Sequence, residues 1–211
     1  NIKNLSISFL QNKKFEAAVD DVSFSLHQNE ILGMVGESGS GKSITSLALL
    51  GLLPKGIARV DGTIFYNEEN ITTYSEKAFQ KIRGRKIAMI FQEPMSSLNP
   101  TLTCGYQVAE ILQQHTQLSK SEIYAAVIAL FEKVKLPRAT SIFKAYPHQI
   151  SGGQKQRVMI AMAIACKPEI LIADEPTTAL DVTVQKEIIL LLKELQLEYG
   201  MSILFITHDL A

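Results

Sequence analysis

The chain has 211 residues, enough for one domain with a substantial core or for one domain divided into subdomains. Lys plus Arg equals Asp plus Glu at 21 each, so the formal net charge is zero, and we expect no nucleic-acid partner because that needs a basic excess. No apolar run approaches the ~18 residues of a membrane span, and the two cysteines, Cys104 and Cys166, lack metal-ligand spacing and are expected to be reduced thiols.

The first third of the chain alternates apolar and polar residues, a pattern typical of β-strands. Two strands are indicated by apolar residues at every second position, namely Leu5, Ile7 and Phe9 in one and Val22, Phe24 and Leu26 in the other. A further short strand is predicted over Thr63–Tyr66. Between strands, residues 28–30 are predicted to form a turn in which Asn29 adopts the left-handed backbone conformation.

Four short and almost uninterrupted apolar runs predict strands of a different kind. They are Ile31–Val35, Ile87–Phe91, Ile170–Ala173 and Ile203–Ile206. Continuous apolar runs of this length suit strands of a parallel sheet that are buried on both faces beneath helices. The alternative interpretation, buried helix segments, is disfavoured because the runs are too short.

Helices are predicted between these runs, so that strands and helices alternate as in an α/β fold. The predicted helices cover Ser43–Leu53, a segment from the capping-box pattern Ser119–Glu122 to Lys135, Gln154–Ala165, and a segment from the N-cap Asp181 to Tyr199 with Gly200 as its stop. Residues 93–147 contain only helical and loop signals, and we interpret them as a helical insertion.

Polar residues or glycines directly follow each of the four apolar runs. They are Gly36–Ser43 after the first, Gln92 after the second, Asp174 and Glu175 after the third, and Thr207 and His208 after the fourth. In open α/β sheets, ligands bind at the carboxyl ends of the strands. We therefore expect these residues, which are remote in sequence, to converge on one site.

The segment Gly36–Ser43 matches the pattern G-x-x-x-x-G-K-[ST] between a predicted strand and a predicted helix. Its glycines let the backbone wrap a phosphate, and the amides at the helix N-terminus present positive partial charge to the anion. Lys42 adds a full charge for the β- and γ-phosphates, and Ser43 is placed to offer its hydroxyl to Mg²⁺. Taken alone, the motif also fits a glycine-rich turn.

Asp174 and Glu175 form the second chemical element. A carboxylate after a buried strand can hold Mg²⁺ directly or through water, and a second one beside it can position or deprotonate the attacking water. Two surface acids at a strand end are an equally good explanation of this pair by itself. His208 and Gln92 are informative only because they share the placement after a core strand.

The segment Ile150–Gln154 puts Ser151 and two glycines at a predicted helix start, which is a second anion-binding arrangement. Because Gly36–Ser43 already provides a complete phosphate cradle, a second cradle suggests that it serves the nucleotide of another subunit. A plain glycine-rich N-cap is the alternative.

Together these motifs resemble those of the ABC ATPases, and the resemblance covers essentially the whole chain. The matching segments are Walker A at Gly36–Ser43, the Q-loop Gln92, the signature motif at Ile150–Gln154, Walker B at Ile170–Asp174 with the following Glu175, the D-loop at Thr178–Asp181 and the H-loop His208. The resemblance implies a P-loop NTPase (RecA-like) α/β core with a mostly parallel sheet, an N-terminal antiparallel β subdomain and a helical insertion subdomain.

The resemblance also implies domain boundaries. Residues 1–211 would form a single ABC ATPase domain, truncated at its C-terminus because family members continue well past His208. Residues 1–92 and 166–211 would form the ATP-binding core with the antiparallel β subdomain, and residues 93–165 the helical subdomain with the signature motif. The chain starts at Asn1 rather than Met, so we expect it to begin inside a longer gene product.

The roles implied by the resemblance concern ATP and Mg²⁺. The phosphate-binding residues would be Gly36, Ser38, Gly39, Ser40, Gly41, Lys42 and Ser43. Ser43, Gln92 and Asp174 would surround Mg²⁺. Glu175 would polarise the attacking water, and His208 would contact the γ-phosphate.

Two further roles concern the adenine and a second subunit. Phe9 would stack on the adenine, with Phe15 as the runner-up. Two ABC ATPase subunits, identical or different, would dimerise head to tail, so that Ser151 and Gly153 touch the ATP held by the partner. ATP binding would close this dimer and hydrolysis would release it, driving a membrane partner.

A finer resemblance lies in Phe91–Pro100 together with Val35–Ser43, which look like the oligopeptide, dipeptide and nickel import ATPases. That group implies an integral membrane permease as partner, an extracytoplasmic solute-binding protein as an indirect one, and a location at the cytoplasmic face of the membrane. Gln92–Tyr106 is then the candidate coupling surface. Two alternatives remain: an ABC ATPase with no transport role, and a binding module without ATPase activity, which the intact motif residues disfavour.

The chain departs from the family pattern at two positions besides its end. Ile150 replaces the first Leu of the signature motif, a change that keeps size and polarity. Asn29 stands where the family often has Gly, and Asn tolerates a left-handed backbone best among the other residues. We expect little effect from the change at Ile150.

Overall fold

A computed structural model of the chain describes residues 1–92, 97–178 and 180–208. Residues 93–96 of the predicted coupling surface, Ala179 of the predicted D-loop and the last residues 209–211 lie outside the described part. Within the described residues, no helix is both long enough and apolar enough to cross a membrane.

The described elements alternate between strands and helices. In chain order they are β1 Ile2–Gln11, β2 Lys14–Phe24, β3 Ile31–Val35, α1 Lys42–Leu49, β4 Ala58–Tyr66, β5 Glu69–Asn70, α2 Glu76–Ile82, β6 Ile87–Ile90, α3 Cys104–His115, α4 Lys120–Lys133, α5 Ala139–Lys144, a 3₁₀ turn Pro147–Gln149, α6 Gly152–Ile164, β7 Ile170–Asp174, α7 Val182–Tyr199 and β8 Ser202–Thr207.

The four apolar runs form one parallel sheet in the order β3-β8-β7-β6, as predicted. The sheet is buried along β6, β7 and β8, but β3 differs from the prediction of burial on both faces. Ile31 and Val35 in β3 are each 45% exposed. Edge position alone is not the reason, because β6 lies at the other edge of the sheet and is buried. Leu32 and Met34 of β3 pack against the cluster shared with the antiparallel sheet, whereas the face that carries Ile31 and Val35 is exposed among the described residues.

The first third of the chain forms an antiparallel sheet in the order β2-β1-β4-β5. Leu5 and Ile7 are fully buried on its inner face, and Phe9 is partly buried against the same cluster. The predicted strand Thr63–Tyr66 is the end of the longer β4. The predicted turn is confirmed, since Asn29 has a φ of 61°.

The described part of the insertion, from residue 97 to Pro147, is helical or loop, as predicted. The capping box at the start of α4 is present, because the Ser119 side chain accepts from the Glu122 amide and the Glu122 carboxylate accepts from the Ser119 amide. Asp181 caps α7 by accepting from the Val184 amide, and Gly200 ends it with a φ of 62°. These local signals therefore set the helix limits.

Two apolar clusters hold the layers together. One lies between the antiparallel sheet, α1 and one face of the parallel sheet. The other joins α3, α4, α5 and α6 to α7 and the opposite face of the parallel sheet. The helical insertion therefore shares a core with the sheet and does not stand apart from it. The two cysteines are free thiols, Cys104 buried and Cys166 partly buried.

The first helix after the glycine-rich loop ends at Leu49, short of the predicted Leu53. Gly51 follows it with a φ of 61°, and its amide donates to the Ala48 carbonyl. A Cβ at Gly51 would lie 2.4 Å from Cε2 of Phe79. The chain turns here because glycine alone fits both the backbone conformation and the contact with the ring.

We expect Gly51→Ala to lower the free energy of unfolding by about 2–3 kcal/mol, because backbone strain and a ring clash add together. Gly56→Ala is the matched control. Gly56 has a φ of 81°, and nothing lies within 4 Å of an added Cβ, so only the backbone cost of ~1 kcal/mol applies. Urea denaturation of the two variants measures the difference; equal losses would mean that the Phe79 contact is unimportant.

Candidate functional site

The carboxyl ends of the parallel strands bring the predicted polar residues together at one edge of the sheet. Val35 lies opposite Thr207 in β3 and β8, and Asp174 lies opposite Ile206 in β7 and β8. Hydrogen bonds then join Ser43 to Asp174 and Gln92 to Glu175, pairs separated by 131 and 83 residues in sequence. The expected convergence is present in the structure.

The glycine-rich loop is organised around the Lys42 ammonium group. Lys42 is buried, and its Nζ donates to the carbonyls of Gly36 and Glu37 at 2.7 and 2.8 Å and to Ser40 Oγ at 3.4 Å. These contacts place a full positive charge inside the loop, just where α1 begins. A phosphate that enters the loop would meet this charge together with the N-terminus of the helix.

Glycines in the loop allow close approaches that a side chain would prevent. Gly41, the N-cap of α1, has a φ of 86°, and a Cβ there would lie 2.7 Å from both the Ala18 carbonyl oxygen and Val19 Cγ2 of β2. A Cβ at Gly36 would lie 2.8 Å from Ser40 Oγ. Strand β2 of the antiparallel sheet therefore packs directly against the loop that follows β3 of the parallel sheet.

Ser43 and Asp174 form a donor set that suits Mg²⁺. Ser43 Oγ donates to Asp174 Oδ1 at 3.1 Å, and both residues line a cavity of about 460 Å³ together with Gln92. Hydroxyl, carboxylate and amide oxygens are hard ligands of the kind that Mg²⁺ takes when phosphates complete its shell. No cluster of three or more His, Cys, Asp or Glu occurs among the described residues, so a cage made by the protein alone is not indicated there.

The Asp174 carboxylate lies in a buried position that favours a bound cation. Burial raises its pKa above the ordinary value, the Ser43 hydroxyl counteracts that rise, and the neighbouring charge of Glu175 adds to it. A divalent cation would offset both the burial and the repulsion between the two carboxylates, because an opposite charge stabilises the ionised form. The donor set thus fits the metal that the resemblance implies.

Glu175 gathers donors from three separate elements on one oxygen. Its Oε2 accepts from Gln92 Nε2 at 2.8 Å and from Thr178 Oγ1 at 2.9 Å, and His208 Nδ1 lies 3.1 Å away. The side chain is only 9% exposed, whereas His208 is half-exposed. The backbone of Glu175 has a φ of 45°, and its amide donates to the Ile206 carbonyl.

The pKa of the Glu175 carboxyl lies below its ordinary value. Burial is the largest single influence and raises this pKa. The hydrogen bonds from Thr178, His208 and Gln92 lower it, and together they outweigh burial. Glu175 is therefore ionised at neutral pH although it is nearly buried. An ionised carboxylate in a partly dry site can orient water and accept a proton from it.

The contact from Thr178 to Glu175 is one that the sequence did not predict. Thr178 was identified only as the first residue of the D-loop, three residues after Glu175. The signal that would have found it is local: a hydroxyl three residues after a carboxylate in a tight turn can reach back to it, and the Thr178 amide does donate to the Glu175 carbonyl.

The two aromatic candidates for the adenine differ in their surroundings. Phe9 is partly buried and packs against the core of the antiparallel sheet, whereas Phe15 is 50% exposed. Phe15 lies near the start of β2 opposite Leu10, and β2 also carries Ala18 and Val19, which support the glycine-rich loop. Phe15 thus has an exposed ring on a strand that contacts that loop.

The signature residues lie at the N-terminus of α6, which belongs to the helical subdomain and not to the glycine-rich loop. Ser151 is the exposed N-cap, forming a capping box with Gln154, so the helix starts two residues before the predicted Gln154. Cβ atoms at Gly152 and Gly153 would meet Leu180 at 3.8 Å and Val184 at 3.0 Å. The signature motif therefore packs on the start of α7.

Comparison with known proteins identifies relatives along the whole chain. Residues 19–178 match the ABC transporter family. The chain is 48% identical over 210 residues to the oligopeptide transport ATP-binding protein AppD of Bacillus subtilis, covering 99% of this chain and 64% of that protein. It is 49% identical over 210 residues to the oligopeptide transport ATP-binding protein OppD of Escherichia coli, covering 100% and 62%.

The chain thus spans less than two thirds of the length of these two relatives. Among solved structures, it resembles a dimeric bacterial ABC transporter cassette with a TM-score of 0.87 and 30% sequence identity, covering 99% of this chain and 87% of that one. The post-hydrolysis state of such a cassette, bound to ADP and phosphate, gives a TM-score of 0.86 at 29% identity. The α/β architecture expected from the sequence is confirmed by these likenesses.

Proposed function

The chain belongs to the ABC transporter family, and from this premise we propose that it binds and hydrolyses ATP to power the import of peptides through a membrane permease. The observation that carries the proposal is the Glu175 carboxylate, held ionised by Gln92, Thr178 and His208 beside the Ser43–Asp174 pair. The Asp174 carboxylate and the Ser43 hydroxyl lie at the end of the proposed phosphate-binding loop Gly36–Ser43.

Hydrolysis in this site would proceed by attack of water on the γ-phosphorus. Lys42 and the loop amides bind the β- and γ-phosphates and stabilise the negative charge of the transition state. Glu175 orients the water and accepts its proton as the new P–O bond forms. The bond from the γ-phosphorus to the bridging oxygen breaks, and ADP leaves with the electron pair.

Ser43, Asp174 and Gln92 would hold Mg²⁺, which when bound neutralises charge on the β- and γ-phosphate oxygens. Gln92 and His208 contact Glu175 in the structure. Each contact uses one polar atom, Gln92 Nε2 or His208 Nδ1, so the implied roles toward the metal and the γ-phosphate would fall to Gln92 Oε1 and His208 Nε2.

We infer that two such domains work together. Ser151 and Gly153 present a helix N-terminus that is exposed in the single chain, and a helix N-terminus attracts phosphate. A head-to-tail dimer would place it on the ATP held by the partner, and one similar solved cassette is described as dimeric. The partner is a second copy of this chain or a related ATPase subunit.

The substrate class follows from the relatives. AppD and OppD are named for oligopeptide transport, and a protein of Shigella boydii that is 47% identical over 215 residues is named for glutathione import. Peptides are therefore the proposed cargo, and nickel or other metal complexes are the alternative within the same resemblance. A solute-binding protein outside the membrane would deliver them, and the ATPase would sit at the cytoplasmic face.

The permease contact is proposed at the junction between the sheet and the helical subdomain. An apolar groove there is lined by Phe91, Ile111, Met159 and Met162, with Arg83 among its polar residues. It adjoins Gln92 and Ser97 of the predicted coupling surface Gln92–Tyr106. We propose that a short apolar helix of the permease occupies this groove. An ABC ATPase without a transport role is the second candidate function, and it would need no such occupant.

The Glu175→Gln variant tests the proposed chemistry. Because the amide cannot accept a proton, we expect ATP turnover to fall at least about 100-fold, with ATP-dependent dimers that persist in size-exclusion chromatography. Thr178→Ser is the matched control, since it keeps the hydroxyl that donates to Glu175. Parental turnover in Glu175→Gln would remove Glu175 from the role of water-positioning residue.

The adenine contact is tested by comparing Phe15→Ala with Phe9→Ala. We propose that Phe15 provides the stacking surface, so its loss should weaken MgATP binding by roughly tenfold, as expected for a lost aromatic contact of about 1–2 kcal/mol. Phe9→Ala should instead lower the melting temperature, because that ring packs in the core. Titration with a fluorescent ATP analogue measures both; the reverse pattern would assign the adenine to Phe9.

The groove is tested by Met162→Glu, which places a charge in its apolar wall. We expect the variant to keep the ATP turnover of the free chain but to lose co-purification with the permease when the permease genes beside its own gene are co-expressed. Unchanged co-purification would show that the permease contacts a different surface. The absence of permease genes from that neighbourhood would favour the non-transport alternative.

A further inference from the structure

Helix α7 carries a row of three glutamates that face the helical subdomain. Glu187, Glu194 and Glu198 are spaced by seven and four residues, which places them on one side of an α-helix. Each pairs with a basic residue of residues 93–165, as Arg157–Glu187 at 2.7 Å, Lys135–Glu194 at 2.6 Å and Lys133–Glu198 at 2.6 Å. We call these six residues the ionic seam.

The seam has one buried anchor and two exposed pairs. The Arg157 side chain is 10% exposed and also donates to the Val134 carbonyl at 2.9 Å, so it joins α6, the end of α4 and α7. The two lysine pairs are about half-exposed on both sides. Exposed pairs of this kind contribute little to folding stability. Their shared alignment along α7 therefore needs another explanation.

Lys135 occupies a backbone position that favours glycine. It follows the C-cap of α4, Val134, with a φ of 59°, and its amide donates to the Glu132 carbonyl. Helices commonly end at such a position with glycine, because other residues are strained there. The lysine at position 135 therefore has a strained backbone, and its ammonium group pairs with Glu194.

One member of the seam, Arg157, lies on the same helix as the signature motif. Arg157 is six residues after Ser151 in α6, and Gly153 approaches Val184 in the first turn of α7. An α-helix is rigid over such a short distance. The seam and the close contact at Gly153 therefore set, from two points, where the N-terminus of α6 lies relative to Glu175 and the sheet.

We propose that the ionic seam is a positioning device that holds the helical subdomain in the orientation in which Ser151 and Gly153 meet the ATP of the partner subunit. The inference rests on the proposed function. Lys133, Lys135 and Arg157 are positioning residues that touch no nucleotide. Breaking an ion pair of the seam lets α6 adopt a wider range of orientations. Dimer formation then has to restrict more motion, which costs free energy and weakens the dimer.

The first test is Lys135→Gly in the full chain, with three readouts. We expect the melting temperature to stay the same or rise, because the strain at φ 59° is relieved. The affinity of the dilute chain for a fluorescent ATP analogue should not change. The chain concentration that gives half-maximal ATP turnover should rise roughly threefold, the scale of one exposed ion pair.

The second test is a charge exchange across the Lys133–Glu198 pair. Lys133→Glu and Glu198→Lys should each raise the half-maximal chain concentration, and the double variant should return it toward the parental value, because the pair is restored with opposite polarity. Asp61→Lys is the control: it breaks the Arg59–Asp61 pair, which is also exposed but lies within β4. That variant should keep the parental concentration dependence.

Some outcomes would overturn the inference. If Lys135→Gly and both single charge variants keep the parental concentration dependence, the seam does not position the subdomain. A fall in melting temperature that accounts for all lost turnover, without recovery in the double variant, would assign the seam to stability alone. If the parental chain showed no ATP turnover at any concentration, the proposed function and this inference would both fail, whereas normal parental turnover with unaffected seam variants would sink the inference alone.

Discussion

A nearly buried carboxylate stays ionised only if several hydrogen-bond donors stabilise its charge. The candidate site depends on how this chain brings such donors to Glu175. Gln92 comes from the end of β6, Thr178 from the turn after β7, and His208 from the end of β8, and all three reach the same oxygen. Only a parallel sheet delivers strand ends to one edge in this way. The order of strands in the sheet is thus a condition for keeping Glu175 ionised in a partly dry place.

The same constraint explains how the two halves of the molecule depend on each other. The antiparallel sheet supports the glycine-rich loop through the backbone of Ala18 and the side chain of Val19, where only a glycine fits at position 41. On the other side, the helical subdomain shares an apolar cluster with α7 and the sheet. The proposed nucleotide site is therefore supported by three layers, the two sheets and the helical subdomain.

Strong apolar contacts and weak ionic contacts have different functions in this arrangement. The shared apolar cluster keeps the helical subdomain attached, because burying apolar area is favourable in almost any orientation. Ion pairs depend on direction and distance and contribute little energy when exposed. A row of them along α7 is therefore suited to selecting one orientation among several that the cluster would accept.

Local signals in the sequence determined most of the elements and the position of the glycine-rich loop between β3 and α1. Asn29, the Ser119–Glu122 capping box, Asp181 and Gly200 each act through neighbours within a few residues, so their outcomes could be predicted from spacing alone. The convergence of Gln92, Asp174, Glu175 and His208 also followed, because apolar runs that alternate with helices imply a parallel sheet.

Only the tertiary structure decided which faces are covered and which side chains meet at a distance. Burial on both faces was wrong for β3, because the packing of the layers covers the face with Leu32 and Met34 and leaves the face with Ile31 and Val35 exposed, a difference that the composition of the run does not show. The packing of Phe9 in the core, the exposure of Phe15 and the pairing of α7 with Arg157, Lys135 and Lys133 likewise depend on how elements stack. Such contacts join residues tens of positions apart, and hydrophobic period and helix caps carry no information about them.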